Sequence, residues 1–517
     1  MKAIRTDEIT PASLALMGET EKLWIYNGLD CCVTDEVFRT ISPQLDNQTR
    51  STYEFEKSLQ APVLEMKLRG ILVDEARREK IVDEFQDKLD LIEDNLNEIL
   101  REGVGHHINW NSPAQLQVLL YETLGIPVKK KRNAKGLYVP TVDRDTLESL
   151  EVYFTAQPII SHILKLRDIK KKIGVLKTSI DPDGRMRTSI NIAGTSTGRV
   201  SSSLSDFGTG TNLQNIEDML RSVFVADPGY KFAYIDLEQA ESRLVGAIEW
   251  NLFYEKHGPD FAGRYLDACE SGDLHTSVCR LAWQEAFDWS GDIARDKELA
   301  EKPFYRQHSY RHMAKVLGHG TNYNGQPYTM AKHTKLEQEL IAKFQSKYFS
   351  AFPCHQLWHA NVRSQLLQFG RLDTLTGRRR WFFGRRNDDA TVREAIAYDP
   401  QGSVGDILNT GMLQVWRANL SQLLLQIHDA ILVQYPEELE DEVVPVLRRT
   451  IEVPMPLRHG RSLLIPSEAL TGWNWGKENL DPKKGPLNPD GLKVYKGGDT
   501  RKRQEHPQTS KLARLLA

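Results

Sequence analysis

The chain has 517 residues, 40% of them hydrophobic, with a formal net charge of −3 at pH 7; it is long enough for several packed subdomains, and any nucleic-acid surface must be assembled from local basic patches. Its five cysteines, at 31, 32, 269, 279 and 354, form no metal-ligand pair, a reduced-thiol usage that implies an intracellular, cytoplasmic protein. Residues 1–10 hold acidic residues and no apolar segment, and no run of eighteen apolar residues occurs anywhere, so neither a signal peptide nor a membrane span is expected.

From Tyr53 to about Gly103 the spacing of apolar residues predicts one long helical stretch among dense alternating charges. Ser112-Pro113 reads as a helix start, with Ser112 as N-cap and proline in the first turn. The basic run 129–132, in a Pro/Gly/Asn-rich loop, fits a phosphate-contacting surface, a localisation-signal mimic or a plain loop, and Lys170 to Lys172 on a predicted helix is equally open. The apolar run Lys231-Phe-Ala-Tyr-Ile delivers Asp236 to its end, ahead of a helix predicted over 239–250. Arg311, Lys315 and His319 recur every four residues and so stripe one helical face. Gly318 and Gly320 weaken that helix by about 1 kcal/mol each, which implies that something approaches its backbone closely. Leu423-Leu-Leu-Gln-Ile and Ala430-Ile-Leu-Val-Gln flank His428-Asp429 and predict a β-hairpin with Asp429 at its turn. Residues 477–517 carry ten Lys/Arg against five Asp/Glu and predict a disordered basic tail ending in a short helix-forming Leu512 to Leu516 peptide.

Two aspartates at strand ends suit nucleotidyl transfer. In-line displacement at phosphorus needs the attacking and leaving oxygens both stabilised, which two Mg²⁺ ions about 3.5–4 Å apart can do. Mg²⁺ takes only one or two carboxylates and keeps several waters, so Asp236 and Asp429 on adjacent strands would suffice. The plainer alternative makes each an ordinary cap or turn residue.

The Asp236 segment, the Arg311 to Tyr323 stripe and the His428-Asp429 hairpin, in that order, resemble motifs A, B and C of the family A DNA polymerases, the bacterial DNA polymerase I kind, and among them the phage type. Further segments carry the likeness: Asn109-Trp-Asn-Ser-Pro-x-Gln-Leu, Thr197-Gly-Arg199-x-Ser-Ser, Asn212-Leu-Gln-Asn215-Ile, Asp273-Leu-His275-Thr, Thr374-x-x-Gly-Arg-Arg-Arg, Arg393, Gln401-Gly-Ser and Glu468 to Trp475. They span about residues 55 to 476. The resemblance implies an α+β right-hand fold: an N-terminal segment at 1–52, a helical thumb and connecting region at 53–189, an antiparallel-sheet palm split between 190–243 and 390–476, and helical fingers at 244–389.

It implies template-directed 5′–3′ DNA synthesis from dNTPs on primer-template DNA. Asp236 and Asp429 would hold two Mg²⁺ ions, with Mn²⁺ able to substitute, and Lys315 would serve as proton donor to pyrophosphate. Gln239, Glu241, His275, Arg311, Lys315, His319 and Tyr323 would bind the dNTP. Arg199, Asn215, Arg393, Gln401, Gln426 and His428 would contact DNA, Arg199 from the minor groove, where pairing can be sensed without reading sequence.

The chain also departs from the family pattern. The usual Pro-x-Arg after Ile216 is lost, the spacer 204–210 is Gly/Ser-rich, Ala397 replaces an Asn, Ala430 replaces the accessory carboxylate of motif C, and 283–305 is longer than usual. Tyr26-x-x-x-Asp30 resembles the closing motif of a 3′–5′ exonuclease but has only 25 residues before it and no Asp-x-Glu among them. No complete exonuclease is therefore expected here, and a separate exonuclease or a processivity factor becomes a candidate partner. A single-subunit RNA polymerase would share the palm, but Glu241 stands at the ribose-excluding position. An inactive DNA-binding homologue would have lost a metal aspartate, and both are present.

Overall fold

The structure, a computed structural model, describes residues 9–305 and 308–497. Helix α1 (Glu19–Ile41) is amphipathic only weakly and buries Ile25 alone. The helical stretch expected from Tyr53 to Gly103 is interrupted. It forms α2 (Asn47–Ser58), α3 (Gln60–Arg69) and α4 (Glu75–Gly103), with a strand at Ile71–Val73 between the last two. Gly70 is the reason for the break. It sits at φ +64°, and a Cβ there would come within 2.9 Å of the Met186 carbonyl. The three aliphatic residues that follow pair with Arg185–Met186 and with Phe224–Val225, and Asp74 then caps α4 by accepting from the Arg77 amide.

Helix α4 packs along α5 (Gln157–Leu176) through Leu89, Leu96, Leu100, Ile160 and Ile163. Ser112 does cap its helix, accepting from the Gln115 amide. The 129–132 run forms one side of an exposed hairpin, Lys130–Arg132 against Tyr138–Pro140. Lys172 is spent inside the protein on Asp168 (2.6 Å) and Glu217 (3.4 Å), and Lys170 lies over the Trp110 ring.

The remaining principal elements are β1 (Tyr230–Leu237), α6 (Ala240–His257), α7 (Arg264–Glu270), α8 (Leu274–Ala282), α9 (Tyr310–Asn322), α10 (Gln338–Ala351), α11 (Cys354–Phe369), α12 (Asp389–Ala418), β2 (Gln422–Ile427), β3 (Ala430–Pro436), β4 (Ser467–Gly472) and β5 (Lys493–Val494). The strands form one antiparallel sheet in the order β2-β3-β1-β4-β5. Strand alternation divides β1 between two cores: Phe232 joins the cluster built on α4 and α5, whereas Ala233, Ile235 and Leu237 join the one built on α6 and α12. Asp236 shares the parity of Phe232 and so emerges on the α4–α5 side. A third core, including Tyr265, Leu317, Phe344 and Trp358, binds α6 to α11 together. Within it the segment after α8 is ordered: Trp283 and Phe304 pack on Tyr310, and the fully buried Asp296 accepts from the Ser290 and Gly291 amides.

The basic tail expected to begin at 477 is folded up to residue 497. Leu492 is buried, β5 pairs with β4, and Asn488 exchanges amide hydrogen bonds with Asn474 at 2.8 and 3.0 Å and accepts from Arg77 at 2.9 Å. The Leu512 to Leu516 peptide lies outside the described residues. Among the described residues no helix is long and apolar enough to cross a membrane.

Candidate active site

Sheet register brings the two aspartates together. Ala430 of β3 lies opposite Asp236 of β1, so Asp429, one residue earlier in the hairpin turn, sits at the same end, and its carbonyl accepts from the Leu237 amide at 3.1 Å. His428 makes the tight turn at φ +52°, where non-glycine residues are uncommon. Gln239 is also left-handed, at φ +54°. It turns the chain from β1 into α6, and its side-chain oxygen is buried without a hydrogen-bond partner among the described residues.

The site is rich in uncompensated negative charge. Burial, then the neighbouring Asp429 and Glu468, push the Asp236 carboxyl up to about 6, against the pull of Lys315. Burial also raises Asp429, opposed by Arg199. Glu468, which sequence reasoning passed over as part of a closing segment, lies directly opposite Asp236 on β4. The only signal for it was the alternation along β4, Ser467 and Ala469 buried and Glu468 exposed.

Arg199 donates to Glu241 at 2.6 Å and to Asp429 at 3.0 Å, a guanidinium standing between the carboxylates of two elements. The Tyr323 hydroxyl donates to the other oxygen of Glu241. Burial, and the adjacent Glu241, hold that phenol well above its ordinary pKa, so it keeps its proton.

Helix α9, capped by Ser309 onto the His312 amide, carries the predicted stripe. Lys315 is exposed and lowers the pKa values of both Asp236 and His319. Arg311 donates to Asp273, the N-cap of α8, at 2.7 Å and lies 3.4 Å from Glu301; the expected triphosphate ligand is here held by two carboxylates. Burial depresses His319, with Lys315 adding to it and Glu241 opposing. His275, its ring centroid 6.0 Å from that of His319, is pushed down to about 3 by burial and then by His319; both imidazoles are neutral at physiological pH. The close approach implied by Gly320 comes from the protein itself, since a Cβ there would meet Met330 Cε at 2.5 Å. At Gly318 there is room for one, the nearest atom being 3.7 Å away.

The expected DNA-contacting residues divide. Asn215 and His428 are exposed, while Arg393 and Gln401 are half-buried on α12. Gln426 departs from its expected role. It is 2% exposed, its amide donates to Asn409 at 2.9 Å, and Asn409 donates to the Gly198 carbonyl. It buttresses the loop that carries Arg199 and presents no surface to a ligand. Gln214, which sequence reasoning did not single out, ties the same region by donating to the Gln426 carbonyl at 2.9 Å.

Among the described residues no group of three or more His, Cys, Asp or Glu is arranged to hold a metal ion. Two adjacent carboxylates, both with their ionisation opposed by neighbouring like charge, instead suit a hard divalent cation that accepts few protein oxygens and retains water.

Residues 76–251 and 283–477 match the family model described as DNA polymerase family A. The chain is 26% identical over 450 residues to the thermostable DNA polymerase I of Thermus filiformis, covering 82% of this chain and 48% of that protein. It is 28% identical over 435 residues to the DNA polymerase I of Bacillus caldotenax, covering 80% and 45%. Among solved structures it is similar to the POL domain of Pol1 from M. smegmatis in complex with DNA primer-template and dNTP, with 27% identity and a TM-score of 0.65, covering 81% of this chain and 70% of that one. The chain thus spans about half the length of the curated relatives it matches. The stretch left out between the matched segments is 252–282, which contains His275.

Proposed function

Because this chain belongs to DNA polymerase family A, we propose that it extends a DNA primer in the 5′–3′ direction, adding dNTPs chosen by a template strand. The observation that carries this reading is the meeting of Asp236 on β1 with Asp429 in the turn that leads into the neighbouring strand β3, together with a helix whose Arg311, Lys315 and His319 share one face. In this reading β1 to β5 are the palm, which takes in residues 477–497 as well as the expected 190–243 and 390–476. Helices α7 to α11 are the fingers and α4 with α5 the thumb.

Asp236 and Asp429 would hold two divalent ions, Mg²⁺ by the chemistry of the donor set, with Mn²⁺ as a substitute. Bound there, the ions supply charge to the attacking and leaving oxygens. The protein supplies the rest. Arg311 and Lys315 bind the triphosphate, with Arg311 exchanging Asp273 and Glu301 for phosphate, and Lys315 gives a proton to the departing pyrophosphate. Glu241, fixed by Tyr323 and Arg199, lies against the sugar and leaves no room for a 2′-hydroxyl. His275 and His319 stay neutral beside the nucleotide, and Arg199, Asn215, Arg393, Gln401 and His428 face the primer-template.

A phage-type enzyme that works with a 3′–5′ exonuclease or with a processivity factor is the partner arrangement this reading favours. Tyr26, 61% exposed on α1, is the place for such a contact, with Trp24 at 59% beside it. The reading is tested by primer extension with the purified chain, each dNTP offered singly in Mg²⁺. Template-dependent addition of only the complementary nucleotide is expected, and absence of extension, or equal extension with ribonucleotides, would overturn it.

A further inference from the structure

A second polar cluster lies behind α9, wholly inside the third core and apart from the carboxylate site. Its centre is Asn322, the last residue of α9 and 2% exposed. The Asn322 side-chain oxygen faces the Tyr348 hydroxyl at 2.8 Å and His355 Nε2 at 2.9 Å, and its nitrogen faces the Tyr265 hydroxyl at 2.9 Å. Its main-chain carbonyl faces His359 Nε2 at 2.8 Å. Three helices, α7, α10 and α11, therefore hold one side chain. His355 reaches on to a fourth, since its Nδ1 lies 2.7 Å from Glu249 of α6, and both side chains have no solvent exposure.

Burial raises the Glu249 carboxyl, opposed by His355. The 2.7 Å approach of His355 Nδ1 to Glu249 is a buried contact without hydrogen-bond geometry, and among the described residues neither Nδ1 nor the two carboxylate oxygens has another hydrogen-bond partner. The ring is thus hydrogen-bonded at Nε2, while Nδ1 faces the Glu249 carboxyl in a closed, fully buried contact. Such a group is expensive to bury, and replacing it by apolar side chains is commonly neutral or stabilising. Stability alone is therefore a poor account of it.

The next residue suggests what it is for. Tyr323 follows Asn322 directly and donates to Glu241, which Arg199 joins to Asp429. We propose that His355, held by Glu249, is a positioning residue for nucleotide selection: by fixing Asn322 it sets where α9 ends and so where Tyr323 stands relative to Glu241. This deepens the polymerase reading and rests on it.

The test compares the full-length chain with its His355→Leu, Glu249→Gln and Val362→Ala variants, measuring melting temperature, dNTP KM and kcat, and the ratio of correct to mismatched incorporation. Gln at 249 keeps the shape of Glu249 and the oxygen that faces Nδ1, so that variant should behave as wild type. His355→Leu should raise KM and lower the selection ratio by roughly tenfold each while kcat stays within about threefold, because ground-state positioning rather than chemistry is lost. Val362→Ala, a core truncation on the same helix, should lower the melting temperature and leave KM and selection alone. Should His355→Leu fail to fold, Tyr348→Phe, which deletes one hydroxyl bond to Asn322 and opens little space, should move KM and selection in the same direction by about threefold. The inference is overturned if the network variants shift KM and selection no more than Val362→Ala does, or if Glu249→Gln fails as badly as His355→Leu. If the wild-type chain itself extends no primer, the polymerase reading falls and this inference with it; wild-type extension with indifferent variants sinks the inference alone.

Discussion

Replacing Asp236 by Asn should abolish extension and, in the absence of divalent ions, stabilise the protein. The carboxyl is displaced from an ordinary value near 3.9 to about 6 by burial and by Asp429 and Glu468. Two pKa units correspond to about 3 kcal/mol, or roughly 1–2 kcal/mol once water screening at this half-buried group is allowed for. A carboxyl raised on folding favours the folded state only while it is protonated. That contribution is intact below about pH 4 and is lost as pH rises through 6, so ionised Asp236 is a cost at neutral pH. Asn has no proton to lose. Asp236→Asn should therefore melt about 1–2 °C above wild type at pH 8 in EDTA, and the gap should be about half as large at pH 5 and close only near pH 4. Excess Mg²⁺ should raise the wild-type melting temperature and reverse the order. Asp429→Asn should gain less, because it also weakens a 3.0 Å ion pair with Arg199. Scanning fluorimetry at the two pH values, beside single-nucleotide extension, reads all of this. A variant that melts at or below wild type at pH 8 without metal would refute the charge argument, and near wild-type extension by either Asn variant would refute the metal assignment.

Glu241→Ala should admit ribonucleotides at least tenfold more readily, and should also strip the Tyr323 hydroxyl of its acceptor; unchanged sugar discrimination in competition assays would dismiss the steric role. His319→Phe should shift the dideoxy-to-deoxy incorporation ratio toward stronger exclusion of the dideoxynucleotide. Because burial keeps His319 below its ordinary pKa, the wild-type ratio should be level from pH 7 to 8 and change only on the acid side of about 6.5, so a ratio that ignores the substitution would reduce His319 to packing. A chain ending at Gly476 should melt several degrees below full length, since it uncovers the site of Leu492 and removes the bonds of Asn488 to Asn474 and Arg77. About 2 kcal/mol for the leucine and about 1 kcal/mol per hydrogen bond are at stake, and equal melting temperatures would show the added strand to be dispensable.

Local signals were legible where they were strong. The β-rich runs flanking His428-Asp429 gave the hairpin, Ser112-Pro113 gave a helix start, and the four-residue recurrence of Arg311, Lys315 and His319 gave the face of α9. What escaped reading depends on partners distant in sequence. Gly70 falls inside the stretch expected to be helical, and it is Met186 and Arg187, 116 and 117 positions on, that crowd it into a break. Lys493–Val494 is too short to show a period, and it is a strand only because β4 offers an edge. Gln426 was expected at the DNA only by resemblance to the family motif, and its side chain is buried against Asn409. Glu249 and His355 sit on helices where a lone polar residue is ordinarily solvated, and their pairing across 106 positions leaves no local trace. The charge counted in the 477–517 tail spoke for disorder, while Leu492 and Asn488 answered to a pocket that composition does not reveal.

The order of strands in the sheet also governs how the chain is made. β1 is translated first among the five, yet its two neighbours, β3 and β4, begin at residues 430 and 467. At a synthesis rate of about 5–20 residues per second, the strand bearing Asp236 waits on the order of ten to forty seconds for its first partner. Throughout that interval both of its edges are open, and Phe232, Ala233, Ile235 and Leu237 have only helices to cover them. The intervening helices can complete their own core from sequence already emerged, so they form a folded cap over an unfinished sheet. Arrest of synthesis between residues 400 and 430 would leave an aggregation-prone species: a helical body with a bare apolar strand at its margin.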